Sequence, residues 1–179
     1  MGAPKQLIKF NDDFLINHMI RTIRTAGIEE LVVVLGSAFD LVRDAVVDPE
    51  VRIVNNPDWQ EGISSSLKKG LDEISHTVDV LINFVVDQPF LTPEILQSFI
   101  SYFVKYDPDI LVTRVRDQLV HPVLFKRRFF DDLRSLQGDK GGKQLFSRNE
   151  VDYFDSEDER LLIDIDNEDD LKRFKKASN

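Results

Sequence analysis

The stretch "VDVLINFVVDQPFLTPE", residues 78–94, decides the fold. A largely apolar, β-branched run stops abruptly at Asp87, then passes through Gln88 and Pro89 into a helix start. A run with so little polar alternation predicts a strand covered on both faces, as in the parallel sheets of α/β proteins. Thr92 can cap the helix that follows, with Pro93 at its first position and Glu94 at its positive end. The unit is therefore strand, short loop, helix, with a carboxylate at the carboxyl end of the strand. In open α/β sheets that is where ligands bind.

Working outward, the same alternation recurs. "LVVVLG" (31–36) predicts another buried strand and "VRIVNN" (51–56) a shorter one. Further strands are expected at 110–115, 122–125 and, in "RLLIDID", at 160–166. Helical spacing of apolar residues appears over 13–26, stopped by Gly27, over 38–47, 60–74 and 126–136, and after Thr92. The acidic stretch 150–170 reads as solvated faces and loops. Asn167 can cap a last helix. The order predicts one α/β sandwich with a mostly parallel sheet.

The bulk numbers narrow the function. The chain has 179 residues, enough for one sizeable core, and a formal net charge of −9. That charge argues against nucleic-acid or anionic-membrane partners. The chain has no cysteine, which excludes disulfides, thiolate catalysis and zinc–thiolate sites. No apolar run approaches the ~20 residues that span a bilayer, and the first ten residues hold no signal-type apolar segment; a cytoplasmic protein is expected. The GxSxG, Walker A and GxGxxG patterns are missing.

Four places can carry chemistry. Asp87 and Asp166 each end an expected strand, and two carboxylates meeting at one sheet edge, with phosphate oxygens and water, suit Mg²⁺. Each can instead simply cap a helix. In "NNPDWQEGISSSLKKGL" (55–71), Gly62, Ser64, Ser65 and Ser66 sit at a helix start. Amides and hydroxyls there can hold a phosphate, ribose or base edge, or the serines only cap the helix. Lys5 beside Pro4 can place a point charge on a phosphate. His121, held extended by Pro122, can face substrate at a strand start. His18 and His76 fall on surface positions by pattern and are given no role.

Taken in order, "MGAPKQLIKF", "NPDWQEGISSSLKKGL", "DQPFLTPE", "HPVLF", "LQGDKGG" and "DIDNEDDL" resemble the molybdenum cofactor cytidylyltransferase group of the MobA-like nucleotidyltransferases. The resemblance covers essentially the whole chain. It implies a Rossmann-like three-layer α/β/α sandwich, like that of nucleotide-diphospho-sugar transferases. It implies CMP transfer from CTP to the phosphate of molybdopterin, with Mg²⁺ as cofactor, pyrophosphate as leaving group, and a molybdoenzyme or its chaperone as protein partner. By resemblance Lys5 neutralises the triphosphate, Asp87 and Asp166 hold Mg²⁺, and Gly62, Ser64, Ser65 and Ser66 line the nucleotide pocket. Gln88, Pro89, His121 and Pro122 then face the pterin.

The chain also departs from that pattern. Val86 and Val120 stand where the family has glycine, "DNEDD" replaces "DTPED", and Gly142 and Lys143 replace Ala and Arg. The family's first strand and most of its glycine-rich loop do not precede the Met-Gly at residue 1. An upstream segment, or a partner that supplies the strand, is therefore expected, and an intact mass above 20.7 kDa for the natural protein would reveal the former. Two other readings stay open: a related transferase using GTP or another acceptor, and a non-catalytic nucleotide-binding homologue.

Overall fold

The computed structural model describes residues 4–74, 76–167, 169, 170 and 172. A 3-10 turn, Lys5–Leu7, leads into β1 (Lys9–Phe10), which pairs antiparallel with β2 (Asp13–Phe14). Helix α1 (Leu15–Thr25) follows and ends at Gly27, whose φ of 96° is the left-handed turn expected there. Next come β3 (Val32–Leu35), the short α2 (Phe39–Arg43), β4 (Arg52–Asn55), α3 (Ile63–Glu73) and β5 (Val80–Asn83). Helix α4 (Pro93–Tyr106) starts as its sequence dictates, Ile95 N–H donating to Thr92 Oγ1 at 3.3 Å. The remainder is β6 (Ile110–Val115), β7 (Gln118–Lys126), α5 (Phe130–Ser135), α6 (Lys143–Phe146) and β8 (Asp152–Asp155).

Four strands form one sheet in the order β5-β7-β6-β8, with β7 antiparallel to both neighbours and β8 parallel to β6. Alternation along β6 and β7 sends side chains to two separate cores. Leu111 and Leu124 pack with Met19 and Ile23 of α1 and Leu96 and Phe99 of α4. Ile110, Val112, Val123 and Phe125 pack on the other face with Leu71 of α3 and Phe130 and Leu133 of α5. This is the expected three-layer α/β sandwich, but its sheet is mixed where a mostly parallel one was expected, because the hairpin turned at Arg116 sets β7 antiparallel between β5 and β6. β3 and β4 form a separate parallel pair.

The last part of the sheet differs from the sequence reading. "RLLIDID" is no strand: Glu159–Leu162 is a 3-10 turn and the chain then runs on without ladder pairing. The strand lies earlier, inside the acidic stretch. Phe154 of β8 packs edge-on to Phe99, with centroids 5.7 Å apart. Arg114 sits directly opposite Asp155 in register and grips both carboxylate oxygens at 2.6 and 2.8 Å. A cross-strand partner of opposite charge turns "DYFD" from a solvated stretch into an edge strand. The second difference is the β6–β7 hairpin, turned at Arg116 with φ 54°, which extends β7 well before the expected 122–125.

Candidate active site

The first 3-10 turn brings Lys5 to the carboxyl end of β5. Its Nζ donates to Asp87 Oδ2 at 2.5 Å and to Asp166 Oδ1 at 3.0 Å, so residues 5, 87 and 166 meet at one point. Two features hold them there. The Ile165 N–H donates to the Asp87 carbonyl at 2.8 Å, which lays the two acidic segments side by side. Beneath them Ile8, Phe10, Leu15, Phe90 and Ile165 form a small core of their own. Lys5, Asp87 and Asp166 each lie within three residues of a member of that core, which fixes their backbone.

Burial alone would depress the Lys5 pKa; the bonds to Asp87 and Asp166 and their charges outweigh it, and the pKa is raised. The ammonium stays charged at neutral pH. Asp87 is the more enclosed carboxylate, with 22% of its side chain exposed against 65% for Asp166. Two hard oxygen donors already converging on a cation are a chemically fitting pair for a small divalent metal whose other ligands are phosphate and water. Among the described residues no group of three or more His, Asp or Glu side chains forms a complete cage. Asp164, which the sequence alone does not separate from Asp166 as a metal ligand, is used elsewhere: it accepts from Gln88 Nε2 at 3.0 Å. Asn167 Oδ1 accepts from Asp170 N–H at 3.1 Å and Asp170 Oδ2 from Asn167 N–H at 3.1 Å, the reciprocal pattern of a capping box. Most of the expected last helix lies outside the described residues.

Gln88 links the corner to His121, whose backbone N–H donates to Gln88 Oε1 at 3.1 Å. His121 and Pro122 form a bulge: Val112 faces Val123 and Thr113 faces Val120, which leaves these two without partners on β6. Thr113 Oγ1 donates to the freed Pro122 carbonyl at 2.9 Å. Burial pushes the His121 pKa down to about 4, against the pull of the Asp87 charge and with Lys143 adding to the depression. The ring is neutral, and Asn83 Nδ2 lies 3.3 Å from its Nε2. Pro89 is buried, and its carbonyl accepts from His18 Nε2–H at 2.8 Å. His18 is thus a half-buried brace behind the Asp87 loop, its ring tilted 52° against that of Phe10 with centroids 4.7 Å apart, and not a bystander.

The serine segment is assembled differently from its sequence reading. Gly62, with φ 101°, precedes α3 and makes no side-chain cap. A β-carbon there would meet Gly138 carbonyl carbon at 2.5 Å, so only glycine lets the loop 138–139 come this close. Asp139 Oδ1 from that loop accepts the Ile63 N–H at 3.3 Å. Ser64 and Ser65 are buried, and Ser66 alone of the three lines the neighbouring cleft. The fully buried Asn56 donates from Nδ2 to Ser65 Oγ at 2.8 Å and to Ser66 Oγ at 3.0 Å. Ser65 passes its own proton to the Gly62 carbonyl at 2.8 Å. Sequence reading missed Asn56 and Asp139, because their partners are on other elements. His121, Ser66, Lys143 and Gln6 share one cleft of about 1290 Å³.

The MobA-like NTP transferase domain model matches residues 1–153. The chain belongs to that family. As a member it is a nucleotidyltransferase of α/β fold. Rv0371c of Mycobacterium tuberculosis H37Rv, solved as a complex with manganese, is 28% identical over 96% of this chain and 91% of its own, with a TM-score of 0.81. Nicotine blue oxidoreductase of Paenarthrobacter nicotinovorans is 26% identical over 96% of this chain and 88% of its own length. Molybdopterin-guanine dinucleotide biosynthesis protein A of Archaeoglobus fulgidus, at 18% identity and TM-score 0.70, covers 97% of this chain and 90% of its own and shares the fold. Among the described residues no helix is long and apolar enough to cross a membrane.

Proposed function

We propose that this protein is a Mg²⁺-dependent, cytoplasmic cytidylyltransferase that moves CMP from CTP to the phosphate of molybdopterin. The observation that carries the reading is the meeting of Lys5, Asp87 and Asp166 at the end of β5. An acceptor phosphate oxygen forms a bond to the α-phosphorus, the bond to the bridging oxygen breaks, and pyrophosphate leaves with that electron pair. Such transfer needs positioning and charge neutralisation rather than a covalent protein intermediate. Asp87 and Asp166 would hold the metal, whose charge offsets that of the triphosphate. Lys5, released from the two carboxylates, neutralises the leaving phosphates. Ser66 keeps its hydroxyl proton available, since Asn56 is the donor in their bond, and offers it to the nucleotide. Neutral His121, Gln88 and Pro122 shape the acceptor side. A molybdoenzyme or its chaperone is the protein partner we expect for the product.

The test is pyrophosphate release from CTP with Mg²⁺ and molybdopterin, compared with GTP in place of CTP. Release with CTP that is lost in Asp87→Ala supports the reading; unchanged turnover in that variant refutes it. A second reading rests on the likeness to nicotine blue oxidoreductase along nearly the whole chain. In that case the same cleft serves an oxidation–reduction, and neither triphosphate yields pyrophosphate.

A further inference from the structure

The cleft between β3 and β5 reaches from Val86, beside the carboxylate corner, to His121 and the loop that follows α5. Two basic side chains line it, Lys143 and Arg148. Among the described residues neither has a carboxylate partner, whereas Lys5 is held by two. The loop sets Lys143 in place from both sides. Gly142 lies so close to β7 that a β-carbon there would meet Phe125 Cζ at 2.5 Å. Gly141, with φ 51°, sits against Ile63 at the start of α3. Gln144 Nε2 donates to the Gln137 carbonyl at 3.1 Å and closes the loop. Asp139, also on the wall, already accepts the Ile63 N–H. His121 faces the same cleft. Asn83 Nδ2 can only donate, so at 3.3 Å it makes His121 Nε2 the acceptor and leaves the ring proton on Nδ1. That Nδ1–H has no partner among the described residues and is not sealed from solvent. The ring feels Asp87 and Lys143 with opposite sign, so it stands between the corner and Lys143.

We propose that Lys143 and the Nδ1–H of His121 form the site that holds the attacking phosphate monoester of the acceptor, with Asn83 as the positioning residue that fixes the His121 tautomer. The inference rests on the transferase reading above and names the groups that meet its acceptor. Transfer brings two anions together, a triphosphate and a phosphate, and each needs a counter-charge. Lys5 serves the triphosphate at the corner. Lys143, a point charge on a flexible stem, serves the acceptor from the other side of His121. Burial keeps the ring neutral, so its N–H orients one phosphate oxygen without protonating it, and another oxygen keeps its lone pair for attack.

The test has two arms. In the first, nitrogen-15 spectra of histidine-labelled protein are followed as inorganic phosphate is added, without nucleotide. The expected result is a His121 proton on Nδ1 and a saturable shift of that resonance. Lys143→Gln should need about tenfold more phosphate, and Lys143→Arg should restore most of the affinity. Asn83→Leu should let the Nε2–H form appear in the same spectrum. A proton on Nε2 in the parent, no response to phosphate, a response that Lys143→Gln leaves unchanged, or an unaltered tautomer in Asn83→Leu overturns the proposal. In the second arm, pyrophosphate release is measured at steady state. Lys143→Gln should raise the KM for molybdopterin about tenfold and leave the KM for CTP and the Tm unchanged. A rise in the KM for CTP instead assigns Lys143 to the triphosphate and overturns the proposal, as does an equal effect from Arg148→Gln. The first arm needs no turnover. A His121 response that depends on Lys143, in a protein that releases no pyrophosphate, upholds the anion site and refutes the transferase reading.

Discussion

The carboxylate corner at Asp87 and the cleft between β3 and β5, which Val86 lines, adjoin along the chain, and they are built on opposite terms. At the corner every charged group has found its partner: one ammonium, two carboxylates, and a backbone bond from Ile165 that locks their spacing. Along the cleft, β3 pairs with β4 alone and β5 with β7 alone among the described residues. The corner is therefore organised by local side-chain chemistry and by its own small core, while among the described residues no ladder joins the two sheets. Chemistry and cohesion are carried by different parts of one strand–loop–helix unit.

Substitutions can sharpen that contrast. The largest effect is expected at the corner's enclosed carboxylate: Asp87→Asn should slow pyrophosphate release about 10³-fold, roughly 4 kcal/mol, while leaving Tm nearly unchanged. The exposed partner should matter less, with Asp166→Asn raising the metal concentration for half-maximal rate about tenfold, measured by titration under steady turnover. On the serine side the effect should fall on stability: Asn56→Ala leaves buried Ser65 without its donor and should cost ~2–3 kcal/mol in denaturant unfolding. His18→Phe keeps the ring against Phe10 but frees the Pro89 carbonyl. It should lower kcat several-fold, about 1 kcal/mol, with KM little changed, and His18→Gln should restore part of the loss by supplying a donor. Asp139→Ala removes the cap on Ile63 and should cost about 1 kcal/mol by thermal melting.

These sites also mark where sequence reading works. That Lys5, Asp87 and Asp166 meet was legible mainly through six short motifs that in order resemble one family; the strand expected to end at Asp166 does not form, so its place there could not be read from the pattern. The Thr92 and Asn167 caps were legible because a cap and its helix are local. β8 was not, since the charge that makes Asp155 a strand residue is Arg114, some forty residues earlier in the chain. "RLLIDID" looked like a strand for the converse reason: its apolar residues serve the cores around α4 and Phe10 and not a ladder. His18 looked exposed on a helix wheel, yet the loop that covers it arrives from residue 89. The single serine that faces the cleft could not be chosen from three in a row without the position of Asn56.

The central claim is that the corner at the end of β5 holds a metal-bound triphosphate. The most direct measurement is the thermal shift of the protein with CTP and with GTP, each with and without Mg²⁺. A nucleotide bound at 100 times its Kd adds ~2.7 kcal/mol to stability, a shift readily seen in Tm. The account predicts a rise with CTP that needs Mg²⁺ and disappears in Asp87→Asn. An equal rise without metal, or one that survives Asp87→Asn, would contradict it.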